Sequence, residues 1–276
     1  MRGPEILART MSIATRKGKS ERAWQYHSRS DSHSKVACWT VLFDMLLECD
    51  ALRSAVTSGR VGFGINHVMV GPINKTLDLV ITVAPPDRAA GKRRRFAGLV
   101  NDYGIALNAD EQAALQVLPP LEQDDAEDVC EVAIALEAKA CMTEHIKSLP
   151  RLHAEILATG YLAKRAVPRC ITASYSLVNA APEFITPSGA GKVNRHSQPE
   201  DARRTVGMLA TAVPMVSDSR DYGYDVVGIT VLDCRNDGTT VSVVNDPAVA
   251  PTRSDRTHYE RMIRSLCSEY RSRFAR

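Results

Sequence analysis

Residues 130–140 read CEVAIALEAKA, and their alternation is the tightest constraint in the chain. In a strand, successive side chains point to opposite faces. Val132, Ile134, Leu136 and Ala138 then share a face suited to packing on a helix, while Glu131, Ala133, Ala135, Glu137 and Lys139 share the other. A carboxylate and an ammonium project side by side with only alanines beneath them, which predicts open space in front of a charged pair. Upstream, residues 76–83 (TLDLVITV) are rich in β-branched residues and run into Pro85-Pro86, the pattern of a strand closed by a breaker. There Leu77, Leu79, Ile81 and Val83 take the core face and Asp78 the opposite one. If the two strands pair, Asp78 and Glu137 meet at one spot and can hold a divalent ion through oxygen, the donor that magnesium prefers.

The remaining segments supply a frame for these strands. Apolar residues recur at helical spacing over residues 34–56, from Val36 through Trp39, Leu42, Phe43 and Leu46, and Gly59 closes that helix. A helix is expected over 143–165, with Pro150 marking a kink or restart. A third strand is expected at 170–178, followed by a Pro/Gly-containing loop (180–197) and a helix at 199–212. Residues 225–234 and 239–244 flank Asp237-Gly238 as a hairpin, and 256–274 reads as a closing helix. The expectation is an α/β fold: one domain, 34–276, with a mixed sheet flanked by helices. An insertion at 84–128 separates the two motif strands, and residues 1–33 form a basic arm.

An acid in one strand, Glu-x-Lys in a later one and a helix behind it resemble the PD-(D/E)xK nuclease superfamily, and within it the type II restriction endonucleases. The residues that carry the resemblance are Asp78 and Glu137-Ala138-Lys139, within a span of roughly 34–180; residue 77 is Leu where the motif has Pro. The resemblance implies a restriction-endonuclease-like core and Mg2+-dependent cutting of double-stranded DNA. Asp78, Glu137 and Lys139 would be catalytic, and Glu48 of the first helix would join Asp78 and Glu137 near the metal. A two-fold homodimer is the simplest way to cut both strands of a palindrome. Asp128 is a second candidate for the first acid, but it begins the same strand as Glu137, and the acidic run 122–128 reads more simply as a solvated loop. A repair or junction-type nuclease, or a DNA-binding protein that does not cut, are the alternative functions.

Composition narrows the partners less than the placement of charge does. The net charge is +3, yet residues 1–35 hold eight Lys/Arg against three acids. Arg16, Lys17 and Lys19, the run Arg93-Arg94-Arg95, and Lys192, Asn194 and Arg195 are the expected DNA contacts, the first two groups gripping the backbone on either side of the cut. Asn179, Gln198, Arg203 and Arg204 join Asn194 and Arg195 as candidates for reading bases. Seven cysteines scattered singly suit free thiols in a reducing compartment. No apolar run is long enough for a membrane span and MRGPEILART lacks that of a signal peptide, so a cytoplasmic protein is expected. The Gly191-Lys192 segment fails the P-loop spacing, and Cys141, His145 and His153 lack zinc spacing.

Overall fold

A computed structural model describes residues 1–17, 22–69, 74–85, 93–124, 129, 131–187, 191–211 and 223–275. The first segment is not a free arm. Helix α1 (Gly3–Met11) buries Ile6, Leu7 and Met11 in the main core. Its unsatisfied N-terminal N–H groups are capped from a distance: Asp44 accepts from Arg2 N at 3.0 Å and from Gly3 N at 2.8 Å. The approach is so close that a Cβ on Gly3 would lie 2.1 Å from the Tyr259 hydroxyl. A two-residue ribbon follows, β1 (Arg16–Lys17) and β2 (Ala23–Trp24).

Asp44 belongs to α2 (Ser32–Glu48), which is buried nearly all round, in keeping with the apolar run read from the sequence. The predicted single helix splits at Cys49, whose extended backbone (φ −105°, ψ 94°) separates α2 from α3 (Asp50–Thr57). Gly59 then ends α3 with φ +68°. A strand that alternation did not reveal comes next, β3 (Val61–Met69), ahead of β4 (Lys75–Val83). After it come α4 (Leu99–Tyr103) and α5 (Ala109–Gln116). They belong to the expected insertion, which turns out to be part of the core: Phe96, Leu99, Ile105 and Leu121 are buried in it, and Phe96 stacks on Trp39 at 4.9 Å.

Strand β5 (Glu131–Cys141), helix α6 (His145–Ala166) and strand β6 (Ile171–Asn179) form a parallel crossover. The expected loop at 180–197 contains a small antiparallel hairpin, β7 (Glu183–Ile185) with β8 (Val193–Arg195). Helix α7 (Glu200–Thr211) precedes β9 (Val226–Asp233), parallel to β6, and short β10 (Ser242–Val243) folds back on β9 before α8 (Tyr259–Phe274) closes the fold. The result is a six-stranded mixed sheet in the order β10-β9-β6-β5-β4-β3.

Helices cover both faces. α1, α2 and α8 pack with Leu79, Ile81, Ile134, Leu136, Tyr175 and Leu177. On the other face α6 and α7 pack Leu152, Ile156, Ala202 and Leu209 against Val178, Val227 and Val231. Both parallel crossovers step the same way across the sheet, and with a common hand that puts α6 and α7 on one side. Among the described residues no helix is long and apolar enough to cross a membrane.

Candidate active site

The β4–β5 ladder runs from Val83/Glu131 to Leu79/Leu136 and ends there. The next pair in that register is Asp78 and Glu137. At this point a side chain replaces the backbone: Asp78 Oδ2 accepts from Ala138 N at 2.8 Å. The ladder on the other side of β4 is also interrupted, because Asn66 of β3, opposite Asp78, has φ +51° and donates its amide to Asp31 at 2.9 Å. A non-glycine residue in that conformation marks local strain. The sheet therefore opens where the two acids meet.

Glu137 is 3 % exposed. Its Oε1 receives Lys139 Nζ at 2.7 Å and Lys75 Nζ at 3.3 Å, while Oε2 is buried without a hydrogen-bond partner. Lys139 also reaches Glu155 of α6 at 3.3 Å, and Arg151 lies 3.6 Å from that same carboxylate. Burial and then the Glu137 charge push the Asp78 carboxyl up to about 6, against the pull of Ala138 N, Lys139 and Lys75. Burial draws the Lys139 ammonium the other way, but Glu137 and then Glu155 more than reverse it and hold its pKa above the usual value. Asp78, Glu137, Lys139, Arg151 and Glu155 line a cleft of about 610 Å³ that also includes Tyr26, Ser34, Thr186, Lys192 and Asn194.

Alternation predicts this site well from Ile134 onward and fails before it. Ile81 pairs with Ile134 but Thr82 pairs with Val132, so Ala133 is the extra residue of a β-bulge. Val132 is thereby moved to the Ala135 side and packs with Val80 and α6 residue Ala163, not with Ile134 and Leu136. Leu77 likewise joins Val80, not Leu79 and Ile81. The face bearing Glu137 is not open either, since α6 covers it, as expected for a strand with a parallel neighbour. The cleft is lined by the C-terminal half of β5, Glu137 to Cys141, and by the residues that follow it.

Four residues that the sequence reading passed over belong here. Lys75 and Glu155 flank the charged pair. Ser174 and Ser176 of β6 stand in register beside Glu137 and Lys139, and both hydroxyls are buried without a partner. The serines had a signal: Thr172, Ser174 and Ser176 put a hydroxyl at every second position of the third strand. Glu155 and Lys75 had none, because only the α6 packing and the break in β4 bring them in.

Other expected residues lie elsewhere. Glu48 ends α2 and is exposed, 14 residues past Ser34 of the cleft, hence about 21 Å along the helix. It is not brought to Asp78 and Glu137. Arg93 lies 3.9 Å from buried Asp124, and Arg94 donates to Asp102 at 2.9 Å beside Tyr103, so both are engaged within the protein; Arg95 is exposed. Lys192 and Asn194 do line the cleft, with Asn194 held by Thr186 Oγ1, and Arg195 pairs with Glu183 at 3.3 Å. Arg16 and Lys17 form β1, while Lys19 and Asp128 lie outside the described residues. Asn179 cannot read bases: it is 0 % exposed, and its amide bonds Met142 O, Cys234 O, Ala181 N and Cys234 N. His145 is also structural, buried 2.6 Å from Asn179 O.

The raised Asp78 carboxyl makes a measurable prediction. Its folded value lies above the unfolded value of about 3.9, so the folded state binds the extra proton between those limits and stability falls as pH rises through that window. Asp78→Asn keeps an oxygen for Ala138 N and removes the charge. The metal-free variant should therefore be more stable than the wild type at pH 7, by ~1–3 kcal/mol for a shift of this size. At pH 4 the difference should vanish. Urea unfolding at the two pH values checks this, and a variant less stable at pH 7 counts against an acid held under electrostatic stress.

Comparison of the chain with protein-family models, with curated proteins and with solved structures returned no match.

Proposed function

We propose that the protein is a magnesium-dependent endonuclease of double-stranded DNA, with sequence preference, that acts as a two-fold dimer. The observation that carries this reading is the meeting of Asp78 and Glu137 on adjacent strands, with Lys139 2.7 Å from Glu137, where the sheet opens into a cleft. The donors fit a hard divalent cation. Both are carboxylates, one oxygen of Glu137 is buried with no partner, and the Asp78 carboxyl is pushed up by burial and then by its acidic neighbour. Among the described residues no third His, Cys, Asp or Glu joins them. Magnesium tolerates that, because it is commonly held by one or two carboxylates and completed by water and substrate phosphate. When bound, the ion would stabilise charge on the phosphate and acidify a bound water.

The chain's own groups have separate parts in this reading. Asp78 and Glu137 hold the cation. Lys139, steadied between Glu137 and Glu155, presents an ammonium to the scissile phosphate and orients the attacking water. Lys192, on the β8 side of the cleft, suits a backbone phosphate on the approaching duplex.

The deciding experiment incubates the protein with a long DNA of known sequence, with Mg2+ or with EDTA. Discrete fragments in Mg2+ alone are expected. A smear in Mg2+ replaces the restriction reading with a non-specific or repair-type nuclease. Binding without cleavage leaves a DNA-binding protein, and cleavage that persists in EDTA sinks the site assignment.

A further inference from the structure

Lys75 is a charged group in direct contact with Glu137 that has no part in the proposed chemistry. It does not line the cleft; it enters from the first residue of β4, three before Asp78, and sets its ammonium 3.3 Å from Glu137 Oε1. Lys139 occupies the same oxygen at 2.7 Å. Lys75 also acts on Asp78, whose carboxyl it helps to lower. The cluster of Asp78 and Glu137 with Lys75 and Lys139 is thus formally neutral without any metal. Two ammonium groups compensate the two carboxylates that a cation would use.

The geometry points to Lys75 as a resident counter-cation that makes uptake of the divalent ion depend on the arrival of a phosphodiester. This rests on the proposed metal site and adds a regulatory property to it. Adding two positive charges beside two ammoniums leaves an excess of positive charge in a partly buried space, where Coulomb interactions are screened far less than in water. Metal binding to the free protein is therefore weak. A phosphate entering the cleft brings the missing negative charge, and metal and DNA then bind together. By linkage, each must raise the affinity of the other by the same factor. Lys75 suits this role better than Lys139, since it stands outside the cleft lining and, among the described residues, the acid it pairs with is Glu137 alone, whereas Lys139 is shared with Glu155.

The test uses Ca2+ as a non-cleaving probe, titrated calorimetrically into wild type, Lys75→Gln and Asp78→Asn, with and without a DNA duplex that the wild type binds. Wild type should bind Ca2+ weakly alone and at least tenfold more tightly with DNA. Lys75→Gln should bind Ca2+ alone about tenfold more tightly than wild type, and its gain on adding DNA should shrink by a similar factor. Asp78→Asn should bind none at this site in either state. If Lys75→Gln leaves Ca2+ affinity and coupling unchanged while Asp78→Asn abolishes binding, the metal site stands and the counter-cation is wrong. If wild type takes up no Ca2+ even with DNA, the metal site itself fails. Thermal unfolding of Lys75→Gln controls for a structural role: a general loss of folding cannot produce tighter Ca2+ binding, so only that tightening supports the proposal.

Discussion

Lys139→Ala is expected to lose DNA cleavage by about a thousandfold or more while DNA affinity falls less than tenfold. The ammonium sits 2.7 Å from Glu137 and 3.3 Å from Glu155, so its removal takes away the charge nearest the proposed phosphate position. A thousandfold corresponds to about 4 kcal/mol of transition-state stabilisation, the scale of one preorganised charge in a water-poor site. Binding is different, because a duplex is held by many phosphate contacts and losing one changes the salt slope by only about 0.9. Folding should survive, since Lys75 still faces Glu137. Single-turnover cleavage in Mg2+ and fluorescence anisotropy in Ca2+ separate the two effects. A variant that keeps a tenth of the wild-type rate would remove Lys139 from the chemistry. Parallel losses of binding and cleavage would instead make it a contact residue.

The central elements were legible because their signals are local. The strand read at 76–83 became β4, the one at 130–140 became β5, and the third strand, the helix after β5 and the closing helix all lie within a few residues of expectation. Period-two alternation also put Asp78 and Glu137 off the faces of Leu79 and Leu136, and left their meeting conditional on the two strands pairing. What sequence could not supply was register. The extra residue at Ala133 reverses the face of Val132, and a bulge leaves no local mark in a run of alanine and valine. β3 was missed because VGFGINHVM carries two glycines and places Asn66 at its break. Glu155 reaches Lys139 only because α6 lies across β5, and Lys75 reaches Glu137 only because the β4 ladder is broken at Asp78. Both are long-range consequences of packing. The Glu48 error has the opposite origin. It came from the resemblance, and the 17-residue length of α2 carries that residue to the wrong end of the helix.

Asp225→Ala should be strongly destabilising for a polar substitution away from the site, costing about 3–5 kcal/mol. Asp225 stands just before β9 and is only 13 % exposed, yet it ties together three elements. It accepts from Lys164 of α6, from Arg273 of α8 at 3.0 Å, and from Thr172 N of β6 at 2.8 Å. Removing it leaves Lys164 and a backbone N–H without their acceptor in a part-buried space, while Arg273 keeps Glu269 at 2.8 Å as its acidic partner, and this costs more than the pairing itself contributes. At ~2–4 °C per kcal/mol the melting temperature should drop by roughly 6–20 °C. The pH dependence identifies the cause. Burial alone would raise the Asp225 carboxyl, but Arg273, Lys164 and Thr172 N outweigh it and hold it below its ordinary value. A depressed carboxyl contributes stability above the unfolded value of about 3.9 and loses it as pH falls through the folded value. The gap between wild type and Asp225→Asn should accordingly be full at pH 7 and shrink below pH ~4. Lys164→Ala leaves Arg273 in place and should cost clearly less. Melting curves of the three variants at pH 7 and pH 3 measure all of this. A gap that is independent of pH would mean that Asp225 acts through packing, and its ion pairs would then carry little of the fold.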